Sequence, residues 1–185
     1  MTQDATTSFD IVILGAGSGG YACALRAAQL GKTVALIEKA KVGGTCLHEG
    51  CIPTKALLHA AEVAETAKHG SSIGVDTSFN GVDMVAVNKY KQGVIDRLYK
   101  GLSSFIGSSG GVPTIEGIGV VVDANTVEVN GVKYRGENLV LGTGSVPRTL
   151  GIEIGGRVVT SDQALHLEEV PKRAVIIGGS VIGVE

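Results

Sequence analysis

The chain has 185 residues, 44% of them hydrophobic and 18% charged, with a net charge of −2. That supplies a packed core, argues against disorder, and leaves no electrostatic footprint for nucleic acid or an anionic membrane. The length allows one ordinary domain, or one and the beginning of another.

Glycine, at 28 residues, is about twice its ~7% base rate, which points to tight turns and close backbone approaches to a ligand. The first ten residues, MTQDATTSFD, lack the basic and apolar regions of a secretory leader. No apolar run reaches the roughly 18 residues of a membrane helix. The expected location is the cytoplasm, where a cysteine pair is read as catalytic or metal-binding before it is read as a staple.

Asp10 to Leu14 (DIVIL) predicts a buried parallel strand. It runs into Gly15, Gly17 and Gly20 in G-x-G-x-x-G register, then a helix over Tyr21 to Leu30 with Gly31 as its C-terminal stop. Thr33 to Glu38 predicts the next buried strand, ending on an acid eighteen residues past Gly20. Strand, glycines, helix, strand and acid together make a βαβ dinucleotide unit. Gly15 permits the turn, Gly17 the approach of a pyrophosphate and Gly20 the close packing of helix on strand. The helix N-terminus faces the phosphates, and Glu38 is placed for a ribose. The motif alone does not separate FAD from NAD.

Gly43 to Lys55 reads GGTCLHEGCIPTK, with Cys46 and Cys51 five positions apart. Pro53 fits the first turn of a helix running to about His69, so Cys51 sits just before a helix start, where the dipole favours thiolate. Cys46 is one short loop away. Two nearby thiols, one at a helix start, suit dithiol–disulfide exchange. A zinc site, with only His48 and His59 near, and an inert disulfide are the competing readings. Cys23, among Ala22, Ala24 and Leu25, reads as a small buried hydrophobe.

GGTCLHEGCIPTKALLH resembles the active-site segment of the flavin disulfide reductases, and the Ile-Pro-Thr-Lys-Ala-Leu-Leu-His continuation leans toward the dihydrolipoamide dehydrogenases among them. The mercuric and glutathione reductases, which share the G-G-T-C-x4-C core, are the alternative branch. The resemblance runs from about Phe9 to Glu185. It implies an α/β fold, a Rossmann-like FAD-binding domain with parallel sheet, helices and an antiparallel β-meander, plus the start of a second nucleotide-binding domain. It also implies FAD against Gly15, Gly17, Gly20, Glu38, Lys39, Gly43, Gly44, Thr45 and Cys46. Lys55 matches a family lysine near the flavin, paired with a glutamate at the position of Glu185. In the implied reaction reduced lipoamide exchanges at Cys46, the outer sulfur, while Cys51 faces the flavin and NAD+ takes the hydride. The implied partners are a lipoyl-bearing acyltransferase of a 2-oxoacid dehydrogenase or glycine cleavage complex, and a second copy in a homodimer.

Ser71 to Asn80 reads as a loop, and Asp83 to about Ser108 as a helix with an apolar stripe of Val94, Ile95, Leu98, Leu102, Phe105 and Ile106. The stripe is read as core packing, with a subunit interface as the alternative. Lys89, Lys91, Arg97 and Lys100 read as a solvated face. Beyond Gly110-Gly111, Thr114 to Val122 is strand-like. Thr126 to Val129 and Val132 to Arg135 flank Asn130-Gly131, a type I′ hairpin signal. Asn138 to Leu141 predicts a further strand, ending in Gly142-Thr143-Gly144-Ser145. The resemblance places Thr143, Gly144 and Ser145 on FAD and Gly119 against the adenine, whereas the residues alone read Gly119 as an ordinary turn glycine.

Thr160-Ser161-Asp162 predicts caps for a short helix through Leu167, and Ala174 to Ile177 a fresh buried strand. Gly178 to Gly183 then repeats the glycine fingerprint and resembles the opening of the family's NAD-binding half, with Ser180 where a glycine is expected. The expected division is an FAD-binding domain over 1–150, a connector over 151–173, and over 174–185 the first strand and glycine turn of an NAD-binding domain. On this reading the chain is an N-terminal fragment of a longer enzyme, or a non-catalytic flavin-binding piece. The family's acid–base His-Glu pair matches none of His48, His59, His69 or His166. No metal is expected.

Overall fold

The computed structural model describes residues 6–185, so the leader reading falls, for residues 1–5, outside the described residues. The chain forms two compact units, Met1–Cys46 with Leu98–Ser145, and Leu47–Arg97 with Val146–Glu185.

The first unit is built on six strands, β1 (Thr6–Leu14), β2 (Val34–Glu38), β3 (Thr114–Glu116), β4 (Val120–Asp123), β5 (Thr126–Val129) and β6 (Val132–Leu141), in the order β3-β2-β1-β6-β5-β4. β1 pairs in parallel with both β2 and β6, β2 in parallel with β3, and β6-β5-β4 is an antiparallel meander. The expected parallel sheet and meander are both present.

The apolar runs are continuous because the sheet is covered on both faces. Ile13, Val34 and Leu36 pack with Ala24, Ala27, Ile106 and Val112 in one cluster, while Val12, Ala35 and Ile37 pack with Val127 and Val129 in another. The side chains alternate along each strand, so successive residues feed opposite cores. Helix α1 (Ser18–Gln29) connects β1 to β2. It closes as expected at Gly31, whose φ of +76° only glycine adopts freely. The Lys32 and Gly31 N–H groups donate to the Ala27 and Ala28 carbonyls at 3.0 and 2.9 Å, a Schellman stop.

Besides the earlier start of β1, at Thr6 rather than Asp10, four differences from expectation stand out. Helix α1 begins at Ser18 rather than Tyr21, because Gly17 is its N-cap. The two strands expected over 132–141 are one, since pairing with β1 along its length carries β6 through Gly136. The strand expected over 114–122 breaks between β3 and β4. At Gly117 φ is +147° and a side chain would meet Val129 Cγ1 at 2.5 Å. The Asn130-Gly131 turn follows its signal, with φ of +51° and +80°. The fourth difference is a short helix α2 (Gly44–His48), where a loop was expected between the cysteines.

The second unit holds α3 (Cys51–His69), a 3-10 turn (Gly70–Ile73), the opening turns of α4 (Met84–Ser108), α5 (Ser161–Ala164) and α6 (Val181–Val184). Asp83 caps α4, accepting the Val85 and Ala86 N–H groups at 2.9 and 3.1 Å. The Thr160 N–H donates to Gln163 Oε1 at 3.0 Å and opens α5, which ends three residues short of Leu167. The buried strand expected over Ala174–Ile177 does not form. Those residues join no ladder, and Val175, Ile176 and Ile177 are 94%, 66% and 68% exposed. An isolated apolar strand has no backbone partners to bury it against. Lys91, expected on a solvated face, is 2% exposed. The apolar stripe on α4 is also uneven, with Ile95 and Ile106 buried and Leu98 and Phe105 exposed.

Candidate functional site

The glycine turn lies at the carboxyl end of β1, the edge where open α/β sheets bind ligands. Gly15 has φ +101°, and a Cβ there would overlap the Gly142 carbonyl, while one on Gly20 would overlap the Gly15 carbonyl. The end of β6 is therefore pressed on the turn, with the Gly142 N–H donating to the Leu14 carbonyl at 2.8 Å. Thr143, Gly144 and Ser145 follow directly and are exposed. Gly17 is different, because a Cβ there would meet only Gly44 Cα, at 3.9 Å. Its lack of a side chain leaves open space rather than relieving a clash.

Glu38, at the carboxyl end of β2, turns its carboxylate back to this loop. Oε2 accepts the Ala16 N–H at 2.7 Å and Oε1 the Ala40 N–H at 3.0 Å. Lys39, the next residue, is exposed. A carboxylate seated at the turn, beside space a side chain would fill, fits the ribose and pyrophosphate of a dinucleotide.

The segment leading to the first cysteine is fastened to the same turn. Gly17 and Gly43 form a parallel bridge, the Gly43 N–H donates to the Ala16 carbonyl at 2.8 Å, and a Cβ on Gly44 would stand 2.6 Å from Gly17 Cα. Helix α2 starts from this contact and carries Thr45, exposed, and Cys46, half-buried. Gly119 also owes its identity to packing. A Cβ there would lie 2.5 Å from Leu14 Cδ1, 2.8 Å from Val127 Cγ1 and 3.2 Å from Ile37 Cγ2.

In the second unit Cys51 is the first residue of α3, after Gly50, and is exposed. It therefore stands inside the helix terminus rather than just before it, among the N–H groups that no helical carbonyl satisfies. Lys55 is one turn on, on the same helix face. Its ammonium forms an ion pair with the Glu185 carboxylate, across 130 positions of sequence. Cys23, Cys46 and Cys51 all stand as thiols. Among the described residues no group of three or more His, Cys, Asp or Glu side chains is placed to hold a metal ion. No helix among them is long and apolar enough to cross a membrane.

The second glycine turn copies the first locally. Gly178 has φ +121°, a Cβ on Gly183 would overlap the Gly178 carbonyl, and Ser180 is the N-cap of α6. Its φ of −82° suits any residue, so serine is unstrained there.

One cluster escaped the sequence reading. Lys91 donates to Asn88 Oδ1 at 2.8 Å and to the Leu165 carbonyl, and Asn88 Nδ2 donates to the Leu167 carbonyl at 3.0 Å. His166 Nε2 meets Glu49 Oε2 at 2.9 Å. Burial pushes the Lys91 ammonium below its ordinary range, and the charge of Glu49 opposes the shift. The available signal was spacing, since Asn88 and Lys91 stand three apart on one helix face.

The pyridine nucleotide-disulphide oxidoreductase family matches residues 9–185. A dihydrolipoyl dehydrogenase of Bacillus subtilis is 42% identical, covering 97% of this chain and 41% of its own length. One of Acholeplasma laidlawii is 43% identical, covering 96% of this chain and 54% of its own. The chain thus spans about half, or less, of the relatives it matches. Among solved structures, the Cu(II) complex of the HOCl-induced flavoprotein disulfide reductase RclA from Escherichia coli superposes with a TM-score of 0.73 at 28% identity. That match covers 96% of this chain and 38% of the other.

Proposed function

The chain belongs to the pyridine nucleotide-disulphide oxidoreductases, and from that premise we propose that it contributes the FAD-facing dithiol of a cytoplasmic dihydrolipoamide dehydrogenase. The observation that carries this reading is the opening of α3. Cys51 stands at the helix N-terminus, and Lys55, one turn on, is ion-paired with Glu185. The helix terminus offers unpaired N–H groups at the cysteine, and the ion pair holds Lys55 in place one turn on.

When bound, FAD supplies the two-electron acceptor between the thiols and NAD+. Gly15, Gly17 and Gly20 would receive its pyrophosphate, Glu38 its ribose, and Gly43, Gly44, Thr45 and the Thr143–Ser145 loop would border it. Glu38 does so at the cost of the Ala16 N–H bond it now accepts, or shares it. Cys46 takes the exchange. A lipoyl thiolate attacks its sulfur in the Cys46–Cys51 disulfide, Cys51 leaves as thiolate, and the second lipoyl thiol then displaces Cys46 to close the lipoamide ring. Two electrons thereby reach the cysteine pair. Gly178, Gly183 and Glu185 would border the NAD side. Partners in this reading are a lipoyl-bearing acyltransferase of a 2-oxoacid dehydrogenase or glycine cleavage complex, and a second copy.

Anaerobic titration of the full-length protein with dihydrolipoamide tests this. Stoichiometric reduction with a long-wavelength thiolate–flavin band, lost in Cys51→Ser, is the expected result. No bound flavin, or a flavin reduced without that band, overturns it. Turnover on glutathione disulfide or Hg(II), but not on lipoamide, moves the protein to another branch of the family.

A further inference from the structure

The thiol reading leaves Glu49 unexplained. It lies between the two cysteines in the sequence, three residues after Cys46 and two before Cys51. A bare carboxylate there opposes formation of the Cys51 thiolate, since like charges raise the cost of ionising a neighbour. Yet the segment is not left with a bare charge. His166 holds the carboxylate at 2.9 Å. Lys91, at 2% exposure, lies within the electrostatic reach of Glu49.

A buried ammonium costs several kcal/mol unless it is paired and hydrogen-bonded. Lys91 meets that demand with Asn88 Oδ1 at 2.8 Å and the Leu165 carbonyl, leaving its charge to act on Glu49. The His166 that grips Glu49 is the residue next to Leu165, and Asn88 fastens the Leu167 carbonyl on its other side at 3.0 Å. The contacts run from α4, through residues 165–167, to Glu49, two residues before the start of α3.

We propose that Lys91 is a positioning residue for the redox thiols, acting through Glu49. With His166 it anchors the carboxylate between the two cysteines, and its ammonium offsets part of that charge on the Cys51 side of the segment. The inference rests on the assignment of Cys46 and Cys51 as a redox pair.

The test is the equilibrium of the full-length protein with glutathione, protein disulfide plus two glutathione thiols giving protein dithiol plus glutathione disulfide. Two electrons and two protons pass to the protein. Reduced and oxidised Cys46–Cys51 peptides are quantified by mass spectrometry after acid quench and alkylation. Lys91→Met exposes the Glu49 charge and is expected to lower the equilibrium constant about threefold, the size of effect one partly screened charge exerts. Glu49→Gln keeps an acceptor for His166, removes the charge, and is expected to raise it about threefold. The double variant matches Glu49→Gln alone, since Lys91 then has no carboxylate to act through. Loosening of the fold moves both single variants the same way and the double further still, so that pattern overturns the proposal, as does no shift in either. If Lys91→Met does not fold, the exposed His166→Gln supplies the second arm, with a smaller shift in the direction of Lys91→Met. A pair that never forms a disulfide in the unsubstituted protein sinks the redox reading and this inference together. An intact disulfide with equal constants across the variants sinks this inference alone.

Discussion

The two glycine turns are nearly the same object in two settings. Gly15 and Gly178 have φ of +101° and +121°, and Gly17 and Ser180 cap the following helices with φ, ψ of −68°, −176° and −82°, −179°. A side chain on Gly20 or Gly183 would stand 3.5 Å from the Cγ2 of Ile13 or Ile176. The strands in front of them are not alike. Ile13 is fully buried between β2 and β6, whereas Ile176 is 66% exposed and joins no ladder. The turn is therefore encoded within six residues, while the strand is encoded only by its neighbours.

The sharpest way to break that comparison is to add one methyl to each turn. Gly20→Ala drives Cβ into the Gly15 carbonyl, with β1 held on both sides and no backbone free to move. We expect a loss of about 4 kcal/mol or more in urea unfolding, the range of severe backbone and packing lesions. Gly183→Ala makes the same overlap where nothing is buried, and its turn can relax. We expect a loss of about 1 kcal/mol or less. Equal losses from the two changes contradict the distinction between local turn and supported strand.

The next test leaves the turns intact and truncates the matched isoleucines. Ile13→Ala empties a fully buried site and should cost about 2–5 kcal/mol, while Ile176→Ala should stay within about 0.5 kcal/mol. Both are read from urea midpoints at constant slope.

This contrast also marks how much was legible in the sequence. The first βαβ unit, the Schellman stop at Gly31 and the Asn130-Gly131 hairpin were all readable, because each depends on residues close in sequence or on a long apolar period. The strand expected over 174–177 joins no ladder here, because an apolar β-branched run is buried only when a sheet receives it. Likewise Lys91 was read as solvated because helical periodicity does not report the Leu165 carbonyl 74 positions away. Asn88, in the same cluster, was passed over. The cysteine segment was legible in chemistry but not in form. Helix α2 is five residues long, too short for any period to show, and it starts from the contact of Gly43 and Gly44 with Gly17.

Gly17 separates the demands of fold from those of ligand. The structure has room for a side chain there, and its φ is ordinary. Gly17→Ser, which makes the first turn match the second at Ser180, should therefore change the unfolding free energy, read from the urea midpoint, by less than about 0.5 kcal/mol. If a pyrophosphate passes over Gly17, the same change should weaken FAD retention about tenfold or more, by crowding the phosphates. Fluorescence of released flavin across a dilution series measures it. Unchanged retention would show that nothing approaches the loop at Gly17.

The smallest expected effect lies at the far end of β1, where the first turn has an anchor that the second lacks. Asp10 Oδ2 accepts both the N–H and the hydroxyl of Thr33 at 2.7 Å, and the Asp10 N–H donates to Thr33 Oγ1 at 2.9 Å. These bonds tie β1 to the entry of β2. The Thr33 N–H, then its hydroxyl, then Lys32 hold the Asp10 carboxyl below its ordinary 3.8. A carboxyl lowered in the folded state stabilises the fold fully above its unfolded value, and loses that contribution as pH falls through the folded value. Asp10→Asn should thus lower the urea midpoint slightly at pH 7. The gap from the unsubstituted chain should hold down to about pH 4 and close below it, as both come to carry an uncharged side chain. A gap that persists unchanged to the most acid point would mean that the carboxylate's charge contributes nothing, and that the anchor of β1 is the ladder alone.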